Sequence, residues 1–465
     1  MKKCASVILA LFCFFMIFMP LSFAEGFTLP DSVSVTAASA YFVNLDTGIV
    51  VYEKNSNEKR SIASLTKLMT ALLLIENVQD LDGTEITAAT KLYVEPITNY
   101  DSSTADIRPG ETVTARTLLY AMLLPSANEA AQIAANYLGN DNLENFYAMM
   151  NARAVELGCK NTNFMCAHGL YDMEDGNYST AYDLSLIARA CWQYDVFREV
   201  VGSTSYDMPF TNVHTTPEYA SNPNAAYTIQ TSVKMQVPSA SVYRDYIHGI
   251  KTGSTLSAGR NFVSAATNSN GESFIGVVLG CPWDPAEDGY AYSFHDTANV
   301  YDWMFANFSV KPTLDTTSPI TEVKVTLSSE TDSLMLYPAS NLSTYMPTSG
   351  GEGTIETTFD VPESVKAPVA KGDVMGTATV SVNGVTIGTV DLVSGQDISR
   401  NSLLYIFDRT NAFFGTTFFK VLVIVTVIYC TGFFALWLYV QNENKKRREA
   451  KRKREAQMRQ RQNRD

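Results

Sequence analysis

Ala63-Ser64-Leu65-Thr66-Lys67-Leu68-Met69-Thr70 opens a run in which Leu65, Leu68, Met69, Leu72, Leu73 and Glu76 recur at helical spacing. The spacing predicts a helix, and it puts Ser64 and Lys67, three residues apart, on one face. A serine hydroxyl is a weak nucleophile until a base removes its proton. A lysine one turn along becomes such a base once burial and neighbouring cations lower its pKa. An S-x-x-K alone carries little, because a chain of this size and composition holds about one or two by chance. Its meaning depends on what the rest of the chain brings to it.

Outward from Ser64, Ala40–Val43 and Ile49–Tyr52 alternate like strands and are joined through Asn44-Leu45-Asp46-Thr47-Gly48, a hairpin. Downstream, residues 85–165 read as mostly helical, with helices over Thr114–Leu124, Glu129–Leu138 and Leu143–Leu157. Residues 180–202 form one more helix, with Ser179, Thr180 and Asp183 as capping candidates. Strands return at Tyr246–Lys251, Phe262–Ala266 and Phe274–Leu279, and an amphipathic helix closes the region at Asp296–Phe308. This order predicts an α/β (α+β) domain over 25–310, with an antiparallel sheet and a helical insert.

From 311 the texture changes to short strands between Gly, Pro, Ser and Asn clusters: Ile320–Leu327, Leu334–Tyr337, Thr354–Phe359, Val374–Val382 and Thr386–Leu392. Val382-Asn383-Gly384-Val385 is a hairpin turn. We expect a small all-β sandwich domain over 311–405 and a linker at 406–417. A transmembrane helix is expected at 418–440 and a basic tail at 441–465. Val421–Val440 is long enough to cross the roughly 30 Å of bilayer hydrocarbon at about 1.5 Å per residue.

At the other end, Met1–Ala24 has the layout of a secretory signal: Lys2 and Lys3, the apolar Val7–Met19, and a small-residue cleavage site at Ser22-Phe23-Ala24. After residue 440 there are eleven Lys+Arg against four Asp+Glu, a net of +7. That excess predicts a cytoplasmic tail, with the catalytic domain outside the cell membrane. Residues 25–419 hold 21 basic and 44 acidic residues, and a body carrying −23 is a poor match for nucleic acid.

Outside leader and anchor, Cys159, Cys166, Cys191 and Cys281 are too few for a disulfide scaffold. Cys159 and Cys166 are close enough in sequence to pair. With no C-x-x-C, no H-E-x-x-H and four scattered histidines, the sequence offers no metal site and implies no cofactor.

Two further motifs follow Ser64. Ser126-Ala127-Asn128, after Leu123-Leu124-Pro125, sits at a break between helices. His248-Gly249-Ile250-Lys251-Thr252-Gly253-Ser254-Thr255 ends a strand on Lys-Thr-Gly. There Gly253 would let an extended substrate lie against the strand edge. S-x-x-K, S-x-N and K-T-G in this order are the motif set of penicillin-binding proteins and class A β-lactamases. The surrounding Arg108-Pro109-Gly110-Glu111, Glu156-Leu157-Gly158 and His168-Gly169-Leu170 narrow the match. Over about 36–308 the chain resembles the serine D-alanyl-D-alanine carboxypeptidases, the low-molecular-mass penicillin-binding proteins.

That resemblance implies a D,D-peptidase of β-lactamase-like fold that acts on peptidoglycan stem peptides and is acylated by β-lactams. It implies Ser64 as nucleophile, Lys67 as general base, Ser126 as proton relay, and Asn128 and Lys251 as supporting groups. Thr252, Gly253 and Ser254 would bind substrate, and the backbone N–H groups of Ser64 and Ser254 would form the oxyanion hole. D,D-endopeptidase action on crosslinks, β-lactamase action and a catalytically weak wall-binding role are the alternatives. The chain departs from the family pattern at Ile62, where proline is usual, and at Ala127, where glycine is usual. Between Cys281 and Phe308 it has neither arginine nor lysine to hold the substrate's terminal carboxylate, and Arg260 is the candidate substitute.

Overall fold

The structure, a computed structural model, describes residues 27, 29–93, 97, 102–348 and 355–462. The expected Met1–Ala24 leader lies outside the described residues. Two units make up the chain. The first is Met1–Leu314 with Asn341–Thr358 and Thr379–Thr389. The second is Asp315–Ser340 with Phe359–Ala378 and Val390–Asp465.

In the first unit, strands β1 (Ser39–Asn44), β2 (Val50–Lys54), β3 (Ile247–Thr255), β4 (Gly259–Thr267) and β5 (Ser273–Cys281) form one antiparallel sheet. Their order across it is β2-β1-β5-β4-β3, so the first hairpin sits beside the last strand rather than beside its sequence neighbours. Side chains on a strand alternate between faces. Ile275, Val277 and Leu279 of β5 accordingly enter one apolar core, and Phe274 and Val278 enter another. Both faces being covered explains why these strands read as near-continuous apolar runs. The Tyr292–Asn307 helix packs on one face and the Ala181–Trp192 helix on the other.

The helical insert holds the Ser64 helix. A 3₁₀ turn, Ala63–Thr66, leads into an α-helix over Lys67–Asn77 whose Leu68, Met69, Ala71 and Leu72 are fully buried. Burying each large apolar side chain contributes about 1.5–3 kcal/mol, which helps offset the cost of enclosing Lys67 on the same helix. Three helices follow at Ala115–Leu123, Asn128–Leu138 and Leu143–Glu156. The region read as mostly helical also holds a short strand pair, Glu85–Thr87 with Thr112–Thr114. The single helix expected at 180–202 is two, Ala181–Trp192 and Asp195–Gly202. Its first half is capped as expected, by the Thr180 side chain accepting from the Asp183 N–H.

The later strands fall at Phe308–Leu314, Thr321–Thr326, Ser333–Pro338, Leu342–Pro347, Ile355–Asp360, Ser364–Lys366, Val374–Val382 and Val385–Ser394. Those at 308–314, 342–347 and 364–366 were not expected from the sequence. Phe308–Leu314 pairs antiparallel with Leu342–Pro347.

The segment read as a linker, 406–417, is instead helical. Ser402–Gly415 is capped by Asn401, whose side chain accepts from the Leu403 and Leu404 N–H groups. A second helix runs from Thr417 to Gln462, so the basic tail continues the apolar helix. Thr417–Arg459 is long and apolar enough to cross a membrane. Cys159 and Cys166 are buried free thiols and are not paired.

Candidate active site

Ser64 lies in the 3₁₀ turn, between the insert and the β3 edge. Two glycines let the chain close around it. A Cβ on Gly253 of β3 would stand 2.8 Å from the Ile62 carbonyl, and one on Gly169 would stand 1.9 Å from the Ala63 carbonyl. The bare Gly253 backbone is therefore used first by the protein itself, to seat β3 against the nucleophile's turn. Gly169, at φ +86°, is in the left-handed region where glycine carries no penalty. Ala63 and Ser126 are also left-handed, at φ 49° and 70°. Such backbone is costly outside glycine and persists where its surroundings enforce it.

Lys67 reaches three oxygens from a fully buried position. Its Nζ lies 3.0 Å from Ser64 Oγ, 2.7 Å from Asn128 Oδ1 and 2.7 Å from the His168 carbonyl oxygen. A neutral amine has two N–H groups and one lone pair. Donation to Asn128 and His168 then leaves the lone pair facing the Ser64 hydroxyl, which is the arrangement a base requires. Burial pulls the Lys67 pKa down to about 7, partly opposed by Cys166 and Glu129. Lys251, also fully buried, is driven well below its usual value by burial and then by Lys67. Of the two causes expected from the sequence, burial and neighbouring cations, burial is the one that lowers Lys67.

Ser126 brings a hydroxyl whose Oγ is buried and without a hydrogen-bond partner among the described residues. Ser126 lines the cavity that Ser64 also lines. Ala127, in the place usual for glycine, has φ −54° and is fully enclosed, so this backbone does not need glycine. Asn128 begins its helix and donates from Nδ2 to Ser102 Oγ at 2.7 Å. Lys251 Nζ donates to the Thr252 carbonyl at 2.8 Å, and the Thr252 hydroxyl donates to Ser232 Oγ at 2.7 Å.

The cavity encloses about 410 Å³ and is lined by Ser64, Ser126, Thr252, Gly253, Ser254 and Arg260, among others. Sequence reasoning missed Ser103, Ser232 and Lys234, which line it too. Ser103 and Ser232 lie in irregular chain and Lys234 in a short 3₁₀ turn, Lys234–Gln236, where no periodicity marks them. Arg260 lies opposite Ser254 in the β3–β4 register. Residues directly opposite share a face of the sheet, which turns Arg260 to the side of Thr252 and Ser254. Its guanidinium stacks 4.2 Å from the Trp283 ring, and its Nε donates to the Trp283 carbonyl at 3.2 Å. The four described cysteines of this unit stand apart from one another, and no cluster of metal-ligating side chains occurs among the described residues.

A serine, an amine base and a second buried serine around one cavity, at the edge of an antiparallel sheet, define an active-serine acyl-transfer enzyme. The comparisons agree. The D-alanyl-D-alanine carboxypeptidase family matches residues 27–282, and the C-terminal domain of penicillin-binding protein 5 matches 308–400. The chain belongs to the D-alanyl-D-alanine carboxypeptidase family and is a serine peptidase.

It is 25% identical to the D-alanyl-D-alanine carboxypeptidase DacF of Bacillus subtilis (strain 168), over 80% of this chain and 89% of that one. It is 25% identical to DacC of Escherichia coli (strain K12), over 87% and 96%. Penicillin-binding protein 5 of Haemophilus influenzae shares the fold at TM-score 0.56 and 24% identity, over 81% of this chain and all of that one. The Streptomyces K15 DD-transpeptidase aligns at TM-score 0.51 and 29% identity, over 60% and 99%.

Proposed function

We propose that this enzyme hydrolyses the bond between the two terminal D-alanines of peptidoglycan stem peptides through an acyl-enzyme on Ser64. The observation that carries the reading is the buried Lys67 amine, placed 3.0 Å from Ser64 Oγ with Asn128 and His168 accepting from it. As Ser64 Oγ bonds to the carbonyl carbon, Lys67 takes its proton. That proton passes from Lys67 through the Ser126 hydroxyl to the departing amine nitrogen as the C–N bond breaks, and D-alanine leaves. Lys251 tunes that relay electrostatically. Water then attacks the ester, the C–O bond to Ser64 breaks, and the proton returns to Oγ. The Ser64 and Ser254 N–H groups serve as the oxyanion hole, where such donors stabilise the developing charge.

Thr252 and Arg260 are assigned to the terminal carboxylate. Two observations support Arg260: its place on the cavity wall and the Trp283 stacking that holds its guanidinium flat. A planar fork suits a carboxylate. β-Lactams acylate the same serine. Residues 1–24 act as a secretion signal, the apolar helix over 418–440 spans the cell membrane, and the basic tail at 441–465 stays in the cytoplasm, supported by the charge asymmetry. The test is incubation with a D-alanyl-D-alanine pentapeptide and with crosslinked dimers. Free D-alanine from the pentapeptide, absent with Ser64→Ala, is the expected result. Cleavage confined to the dimers would make the enzyme an endopeptidase.

A further inference from the structure

The loop over residues 102–111 is tied to the active site at one end and to a buried cluster of charged groups at the other. At the inner end, Ser102 Oγ accepts from Asn128 Nδ2 at 2.7 Å, and the Ser103 carbonyl accepts from the Asn128 N–H at 2.9 Å. The next residue of that helix, Glu129, accepts from the Thr104 hydroxyl at 2.8 Å and the Ala105 N–H at 2.7 Å. Asn128 is also the residue that accepts from Lys67. The inner end of the loop is thus one hydrogen bond removed from the base.

At the outer end stands His214, more than 100 residues away in sequence and enclosed to 1% side-chain exposure. Its Nδ1 lies 2.9 Å from Glu111 Oε1, and its Nε2 lies 3.2 Å from Asp106 Oδ2. Each ring nitrogen faces a carboxylate oxygen. Glu111 is equally enclosed and also accepts from the Thr211 hydroxyl and the Arg108 N–H. Asp106 is left-handed at φ 59° and is gripped by Arg108, which itself lies 3.9 Å from Glu218. The Tyr227 ring lies 4.9 Å from the His214 ring, and its hydroxyl donates to the Ala105 carbonyl. Surface decoration does not call for a buried histidine between two carboxylates, since such a group is costly unless its partners are fixed.

We propose that His214 is a positioning residue for the acyl transfer. It clasps Asp106 and Glu111, which holds the 102–111 loop so that Ser102 fixes Asn128 against Lys67. This inference rests on the Ser64 acyl-enzyme reading.

The test uses the full chain and measures its acylation by a penicillin, separating the Kd of the first complex from the acylation rate constant. His214→Ala is expected to slow acylation about 10- to 100-fold, the scale of a small misplacement at a reacting centre, with Kd unchanged. In a Ser102→Ala background, which already lacks the hydrogen bond to the Asn128 side chain, His214→Ala is expected to cost nothing further, because the two act in series. If His214→Ala does not fold, Glu111→Gln keeps the shape of the clasp and is read in the same cycle. Losses that simply add between the two sites, or a change in Kd alone, overturn the proposal. A parent chain that forms no adduct at Ser64 overturns both this inference and the acyl-enzyme reading. A normal parent adduct with additive losses overturns the clasp only.

Discussion

At the residue scale the chemistry depends on Lys67. Its helix encloses it, and burial holds its pKa at about 7 instead of the usual 10.5. Only the neutral amine offers a lone pair to the Ser64 hydroxyl. The acylation rate is therefore expected to be low below pH 7, to rise as the Lys67 proton is lost, and to level off above. Stopped-flow acylation across pH checks this, and a rate that falls through that range would sink the base assignment. Lys67→Ala should lower the plateau by about 10²- to 10⁴-fold, the usual contribution of a positioned base. Ser64, Lys67, Ser126, Asn128 and Lys251 each stand in a short motif, which is why the sequence singles them out as candidates. It gave no sign of the His168 carbonyl as an acceptor, since a main-chain oxygen belongs to every residue. Ser102 and Ser232 were equally hidden, each being a polar residue in irregular chain that acquires its partner only on folding.

At the element scale, strands β3 and β4 form one wall of the site. Strand positions were legible from apolar runs bounded by turn residues, because the sheet is covered on both faces. The split between Ala181–Trp192 and Asp195–Gly202 was not, since neither proline nor glycine marks it. The missed strand at Leu342–Pro347 has alternation broken by a buried threonine and a terminal proline. The β3–β4 register also sets Arg260 opposite Ser254, which places the proposed carboxylate role of Arg260 at this scale. Among the described residues, the guanidinium hydrogen-bonds to protein through Nε, and Arg260 lines the cavity. Arg260→Gln should lower kcat/KM for a peptide ending in a free carboxylate about 10- to 100-fold, the worth of a charge-assisted hydrogen bond. Cleavage of the same peptide with a C-terminal amide should change far less. Equal losses on both substrates would remove Arg260 from the carboxylate role and leave Lys234, the other cation on that wall, to be tested in its place.

At the scale of the whole molecule, an acidic body precedes an apolar helix and a basic end. That pattern was readable from composition, because membrane thickness and charge asymmetry act on long stretches of chain. The exchange of segments between the two units was not readable. Segments 341–358 and 379–389 group with the first unit although the chain around them belongs to the second. Pairing between strands distant in sequence decides this, and local periodicity does not encode it. What unites these scales is one proposed covalent bond, the ester at Ser64. The most direct measurement is peptide mapping by mass spectrometry of the full chain after brief exposure to a penicillin. The account predicts a single adduct on the peptide containing Ser64, lost in Ser64→Ala and slowed in Lys67→Ala. An adduct on another residue, or one that survives Ser64→Ala, would contradict it.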